Sequence, residues 1–257
     1  MTAEDDVRLL KAPTLLERLD GLTDTQIETL TEANTAIHEL NGLRAVQINV
    51  AGHFARSKIA WMLAGYQHML LHRIVSIFDG AALAWNHRSP VAAMLCSRAM
   101  METIAVFYAL GQDVKKHLDV SDLESLMALA TRGTFASRDK EWLAQSPETQ
   151  AINALTYVRR FDRYVPGFEG HYERLSERCH PNSSGHNFLF SELDLTDGTR
   201  RFVDERWQEA NRSLVLNGLA PVAFVVIEMP RLDSLIEAVA DLQHAKQPVH
   251  QDGQPQD

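Results

Sequence analysis

Two charges, Arg98 and Glu102, stand four residues apart in the otherwise apolar run VAAMLCSRAMMETIAVFYALG between Pro90 and Gln112. On a helix that spacing puts both on one face, in a stripe with Leu95, Ala105 and Ala109. A helix apolar around most of its circumference belongs inside a protein, where an unpaired charge is costly. The two side chains are therefore expected to pair or to line an internal cleft. If the pair is buried, removing either partner should destabilise the fold by roughly 3 to 5 kcal/mol.

A second polar stretch, HYERLSERCHPNSSGH, covers residues 171–186. His180 precedes Pro181, which disfavours helical backbone at His180 and places it at a helix C-terminus. The partial negative charge there favours a protonated imidazole. Arg174 and Arg178 lie just upstream, and Asn182, Ser183, Ser184 and Gly185 supply a turn rich in hydrogen-bonding groups. A plain capping role for His180 explains the same residues without any chemistry.

Together, R-x-x-x-E (Arg98, Glu102) and Y-x-x-L-S-x-x-x-H-P (Tyr172, Leu175, Ser176, His180, Pro181) resemble a large family of helical bacterial proteins. The pattern is also similar to HEPN-type domains, in which an Arg is followed about four to six residues later by a His. Arg174 and His180 fit that spacing, and the resemblance spans residues 55–185. It implies a metal-independent ribonuclease or nucleotide-binding protein, in a toxin or phage-defence setting, with a homodimer and RNA or a nucleotide as partners. His180, Arg174, Glu102 and Arg98 are then the expected catalytic residues, with Ser176, Asn182 and Arg178 binding substrate. Histidine titrates near working pH and suits removal of the ribose 2′-OH proton. Arginine presents a planar fork of donors to a phosphate.

Geometry opposes part of this. Residues six apart on a helix point about 120° away from each other, so Arg174 and His180 converge only if Arg174 lies at an irregular helix start, the helix end unwinds, or a second subunit intervenes. Glu169, Glu173 and Glu177 would also repel phosphate. His68 and His72 have the i,i+4 spacing of two metal ligands, and Glu177-x-x-His180 is half of a di-iron bundle motif. The second Glu-x-x-His is missing, so neither a metal nor another cofactor is expected. Ser183-Ser184-Gly185 lacks the strand-to-helix context of a nucleophile elbow. Arg159, Arg160 and Arg163 are expected to be solvated or paired with Asp162 and nearby Glu.

These residues need helices to hold them. The periodicity predicts helix over 14–41, divided near Gly21 and capped by Thr23 or Asp24. It predicts helices over 54–78, interrupted at Asp79-Gly80, and over 90–111 behind Ser89-Pro90, packed as an antiparallel hairpin. Further helices are expected over 120–131 with a Ser121 cap, 140–145, 148–164 and 169–180. Residues 188–203 read as a small β-hairpin around Asp197-Gly198. A helix over 205–229 bent at Pro221 and a last one begun by Pro230 complete the chain. The expected fold is all-α: one domain over 1–246 with a flexible start at 1–13, then a disordered tail at 247–257.

The bulk numbers agree with a globular helical protein. Of 257 residues 45% are apolar and 23% charged, and 25 Lys and Arg face 34 Asp and Glu for a net charge of −9. That balance argues against broad, non-specific DNA binding. Cys96 and Cys179 show no metal-ligand spacing and suit reduced thiols. MTAEDDVRLLKAP lacks the features of a secretion signal, and LVLNGLAPVAFVVIEM is shorter than a membrane span, so a cytoplasmic location is expected. The alternative to an enzyme is a non-catalytic helical module whose polar cluster fixes packing or binds a partner. Common to both is the expectation that His180 lies within reach of Arg98 and Glu102.

Overall fold

The structure, a computed structural model, describes residues 10–49, 54, 57–203 and 207–246; the tail 247–257 and residues 1–9 lie outside these. The all-α expectation holds: the described residues form packed helices with one small antiparallel hairpin. By their contacts they group into two compact units that interleave along the chain. One takes residues up to Val46, Gln67–Leu110 and Ile152–Met229; the other takes Gln47–Tyr66, Gly111–Ala151 and residues from Pro230 onward.

Helix α1 (Asp24–Leu43) starts at Thr23 with a full capping box, in which Gln26 N–H donates to Thr23 Oγ1 and Thr23 N–H to Gln26 Oε1. Residues 14–22 are not helical, contrary to their leucine spacing. They form an extended strap in the first unit, with Leu16 buried and Leu15 exposed. Side-chain amides from afar satisfy its backbone. Asn34 accepts from Leu16 N–H (2.9 Å) and donates to Leu16 O (2.9 Å). Asn86 likewise accepts from Glu17 N–H (2.9 Å) and donates to Leu15 O (3.0 Å), while Asp79 accepts from Thr14 N–H (2.8 Å). Those partners replace the bonds a helix would have made.

Helix α2 (Lys58–Asn86) runs unbroken through Asp79-Gly80, and α3 (Pro90–Asp119) extends past the expected end. They pack antiparallel, as expected. Arg73 Nε reaches Thr103 Oγ1 (3.2 Å), and seven residues further along α2 Gly80 faces Cys96, seven residues back in α3. A Cβ at Gly80 would stand 3.4 Å from the Cys96 sulfur, an ordinary van der Waals contact, so the two helices approach closely there.

In the first unit α6 (Ala154–Asp162) begins late because Asn153 caps it; residues 147–149 form a separate 3₁₀ turn. Next come α7 (Phe168–Cys179) and α8 (Ser183–Phe190). Strands β1 (Ser191–Leu193) and β2 (Arg200–Phe202) then pair Ser191 with Phe202 around Gly198 at φ +73°, the hairpin the sequence announces. α9 (Glu209–Leu219) and α10 (Val222–Lys246) are separate helices broken before Pro221, rather than one bent helix. α10 continues through Pro230, where the sequence suggested a fresh start. Phe161, fully buried, centres a cluster of Tyr108, Tyr164, Phe168 and Phe224.

In the second unit, Ser57 Oγ accepts from Ala60 N–H at the start of α2 and donates to Gln243 Oε1 (2.9 Å). Helix α4 (Leu123–Phe135) is capped by Asp122, not Ser121, which sits at φ +54° in the preceding turn. α5 (Lys140–Gln145) has the expected bounds. By length and composition alone α3 and the stretch Glu209–Lys246 are each long and apolar enough to cross a membrane. In their most apolar windows 50% and 44% of residues are buried inside the protein.

Candidate functional site

Helix α7 divides the two polar segments instead of uniting them. Pro166 and Gly167 (φ +92°) turn the chain into it, and Asp162 Oδ1 accepts from Gly167 N–H (3.0 Å) and Glu169 N–H (2.9 Å). Tyr172 and Cys179, seven residues apart, fall on one face; His171, Arg174 and Arg178 fall on another. Each face makes its own site.

On the first face Tyr172 meets α3. Its hydroxyl donates to Glu102 Oε1 (2.7 Å) and accepts from Arg98 Nε (3.3 Å) and Nη2 (3.0 Å), so its one donor and two lone pairs are all used. Arg98 Nη2 also stands 3.5 Å from Glu102 Oε1, and its guanidinium lies 5.3 Å from the Tyr172 ring centre. Burial and then the Glu102 hydrogen bond push the Tyr172 phenol above its usual range. Burial alone would lower Arg98, but its bonds to Tyr172 and the Glu102 charge hold it above its ordinary value. Cys179 lies close enough to feel Arg98, yet burial pushes its thiol up, as it does Cys96, so both are neutral at physiological pH.

The Tyr172 hydroxyl is fully paired, while Arg98 and Glu102 each keep part of their surface in water. With Arg98 and Glu102 30% and 28% exposed, the 3 to 5 kcal/mol expected of a buried pair is too large. Tyr172→Phe, Arg98→Ala and Glu102→Ala should each cost about 1 to 2 kcal/mol in urea unfolding. Near-neutral values for all three would show that the cluster contributes nothing to the fold.

His180 does not join it. Its backbone is extended (φ −77°, ψ 147°) and its N–H donates to Ser176 O (3.0 Å), which makes it the helix cap. The residue is exposed, and among the described residues no hydrogen bond links its ring to Arg98 or Glu102. One position past Cys179, at an end that has left the helical path, it has turned off the Tyr172 face. Asn182 caps α8, accepting from Gly185 N–H (3.0 Å), so the expected polar turn is a helix start. Gly185 is obligatory there: a Cβ would meet His180 O at 2.1 Å. The Ser176 hydroxyl is buried with no hydrogen-bond partner among the described residues.

The second face opens a cleft of about 700 Å³ between α7 and α9, lined by His171, Glu173, Arg174, Glu177 and Arg178, with Asn211, Ser213 and Asn217 opposite. Of the sequence-derived site residues only Arg174 and Arg178 lie here. Arg178 Nη1 donates to Ser184 O (3.1 Å), and Glu177 accepts from Asn182 Nδ2 (2.8 Å). His171, which the sequence reading missed, is buried, as is Asn211 opposite. The Leu214 carbonyl oxygen lies 3.0 Å from its Nε2, which fixes the proton on that nitrogen. Nδ1 is then a lone pair, 3.3 Å from Arg174 Nη2. The only sequence signal was its i,i+3 spacing to Arg174.

Burial holds the His171 imidazole below its ordinary range, and the Arg174 charge pushes the same way while the Leu214 bond opposes. The unfolded chain, titrating near pH 6.5, therefore takes up the proton first. The neutral ring's contribution to stability is complete above about pH 6.5 and is lost as pH falls through the lower folded value. Wild type should thus lose more stability on acidification than His171→Gln, measured by urea midpoints across that window. Parallel curves would overturn the assignment.

The other histidine pair is structural. His68 Nδ1 accepts from Ala45 N–H (3.1 Å), and His72 Nε2 lies 3.0 Å from Ala45 O, so the two rings hold one peptide segment. Among the described residues no group of three or more His, Cys, Asp or Glu could hold a metal ion. Arg159 pairs with Glu169 (2.8 Å) rather than Asp162, which is engaged at the start of α7. Compared with family models, curated proteins and solved structures, the chain has no match.

Proposed function

We propose that the chain binds a nucleotide-class ligand in the α7–α9 cleft, with Arg174 anchoring the phosphate and His171 as base. One observation supports this above the others: the Arg174 guanidinium hydrogen-bonds to a neutral, buried imidazole whose tautomer is fixed, rather than to a carboxylate. The cleft volume suits a small ligand, and Ser213 and Asn217 offer hydrogen bonds for a base or ribose. Glu173 and Glu177 on the same wall favour a mononucleotide or a short RNA end over an extended RNA track.

A phosphate that draws Arg174 away would free His171 Nδ1. The ring could then take a ribose 2′-OH proton while the 2′-oxygen attacks phosphorus and the 5′-oxygen leaves with a proton from water. Metal-independent RNA cleavage is thus the reaction this pair could support, with His171 in the role first given to His180. The HEPN resemblance extends the proposal to a cytoplasmic homodimer in bacterial toxin or phage-defence systems. The mutual hydrogen bonds of Arg98, Tyr172 and Glu102 favour a second, non-catalytic reading for their own face, that of fixing helix packing.

Calorimetric titration with mononucleotides tests the binding reading. Binding that vanishes in Arg174→Ala supports it, and no heat with any nucleotide sinks it. RNA cleavage in chelator, lost in His171→Ala but kept in His180→Ala, tests the chemistry.

A further inference from the structure

A second cavity, apart from the nucleotide cleft, lies between α1 and the start of α10. It measures about 470 Å³, and its apolar floor is Ala36, Ala223 and Val226, with Ile227 at its edge. Ile227 is 74% exposed, a large apolar side chain left in water. Positions 223, 226 and 227 form an i,i+3,i+4 stripe, the pattern of a helix face made to be covered. Most of an amphipathic stripe in a folded protein meets another element; this one meets a groove.

The other wall is acidic. Glu28, Glu32 and Glu39 fall within an arc of about 40° on α1, and the helix holds no Lys or Arg. All three are exposed and none forms an ion pair among the described residues. An apolar ledge beside an uncompensated acidic stripe is the inverse image of a basic amphipathic helix. We propose that this groove docks such a helix from a partner protein, with Leu, Ile or Val at i,i+3,i+4 against Ile227 and Lys or Arg facing Glu32 and Glu39. The wall from Thr31 to Glu39 is about 12 Å long, enough for two turns. A second copy of this chain would bring the same glutamates against themselves, and an anionic membrane would meet repulsion.

The probe is a fluorescein-labelled Leu/Lys amphipathic peptide about 14 residues long, read by anisotropy against the full chain. Binding should weaken by about tenfold or more in Ile227→Ser and in a Glu32→Lys, Glu39→Lys double variant, while a Leu/Glu peptide of the same pattern stays unbound. Both sites are exposed, so unchanged far-UV spectra should confirm folding, and nucleotide titrations should not change. Equal binding by wild type and both variants overturns the proposal, as does binding of the Leu/Glu peptide. Sedimentation showing a wild-type dimer that Ile227→Ser dissociates would assign the groove to a second copy instead. Ile227-dependent binding to phosphatidylcholine–phosphatidylglycerol vesicles would assign it to a membrane.

Discussion

Phe161→Ala should lower the unfolding free energy by about 3 to 5 kcal/mol, a large share of the roughly 5 to 15 kcal/mol that holds a typical domain together. The ring is fully buried, with Phe168 at 4.6 Å edge-on, Phe224 at 5.0 Å and Tyr108 at 5.1 Å between centres. Truncation removes those contacts and leaves a cavity whose walls come from α3, α6, α7 and α10, none of which can move in without disturbing the others. Phe161→Leu, nearer in volume, should cost about 1 kcal/mol. The difference in urea midpoint between the two variants measures the cavity; a loss under about 1 kcal/mol for Phe161→Ala would mean that the cluster is plastic.

Arg174→Ala should weaken nucleotide binding by about 10- to 150-fold, the equivalent of about 1.5 to 3 kcal/mol for charge-assisted hydrogen bonds. Arg174→Lys should recover only part of this, since an ammonium keeps the charge and loses the fork. The wild-type affinity should also rise as pH falls toward the His171 titration. Burial is the main cause of the lowered imidazole, but a bound anion cancels the Arg174 charge that adds to it, so binding takes up a proton. Affinity independent of pH, or lowered by acid, would separate His171 from the ligand.

The helices that sequence reasoning placed well are those whose signals are local. Thr23 with Gln26 is a capping box contained in four residues, and Lys140–Gln145 follows directly on its Asp139 cap. The hairpin rests on Asp197-Gly198, where glycine meets the positive φ the turn needs. The errors share the opposite property. Leu15, Leu19 and Leu22 have helical spacing, but the strap's hydrogen bonds come from Asn34, Asp79 and Asn86, which no local window contains.

The candidate site was half legible for a related reason. Arg98 and Glu102 declared themselves as charges in an apolar run, but their partner Tyr172 is 70 residues from Glu102. His180 drew attention because of Pro181, and the proline marks only where α7 stops. His171 looked like one more polar residue on a short helix. Its tautomer is set by a carbonyl of α9, 43 residues on, and that contact is invisible before the chain folds.

The strap also sets a schedule for synthesis. Its amides at Thr14 and Glu17 have partners 65 and 69 residues downstream, so they are left to water until α2 has left the ribosome. At roughly 5 to 20 residues per second, the segment waits about 3 to 14 s in solution with Leu16 uncovered. A nascent chain stalled before Asn86 should therefore expose this segment to a chaperone or protease, whereas one stalled well beyond it should not.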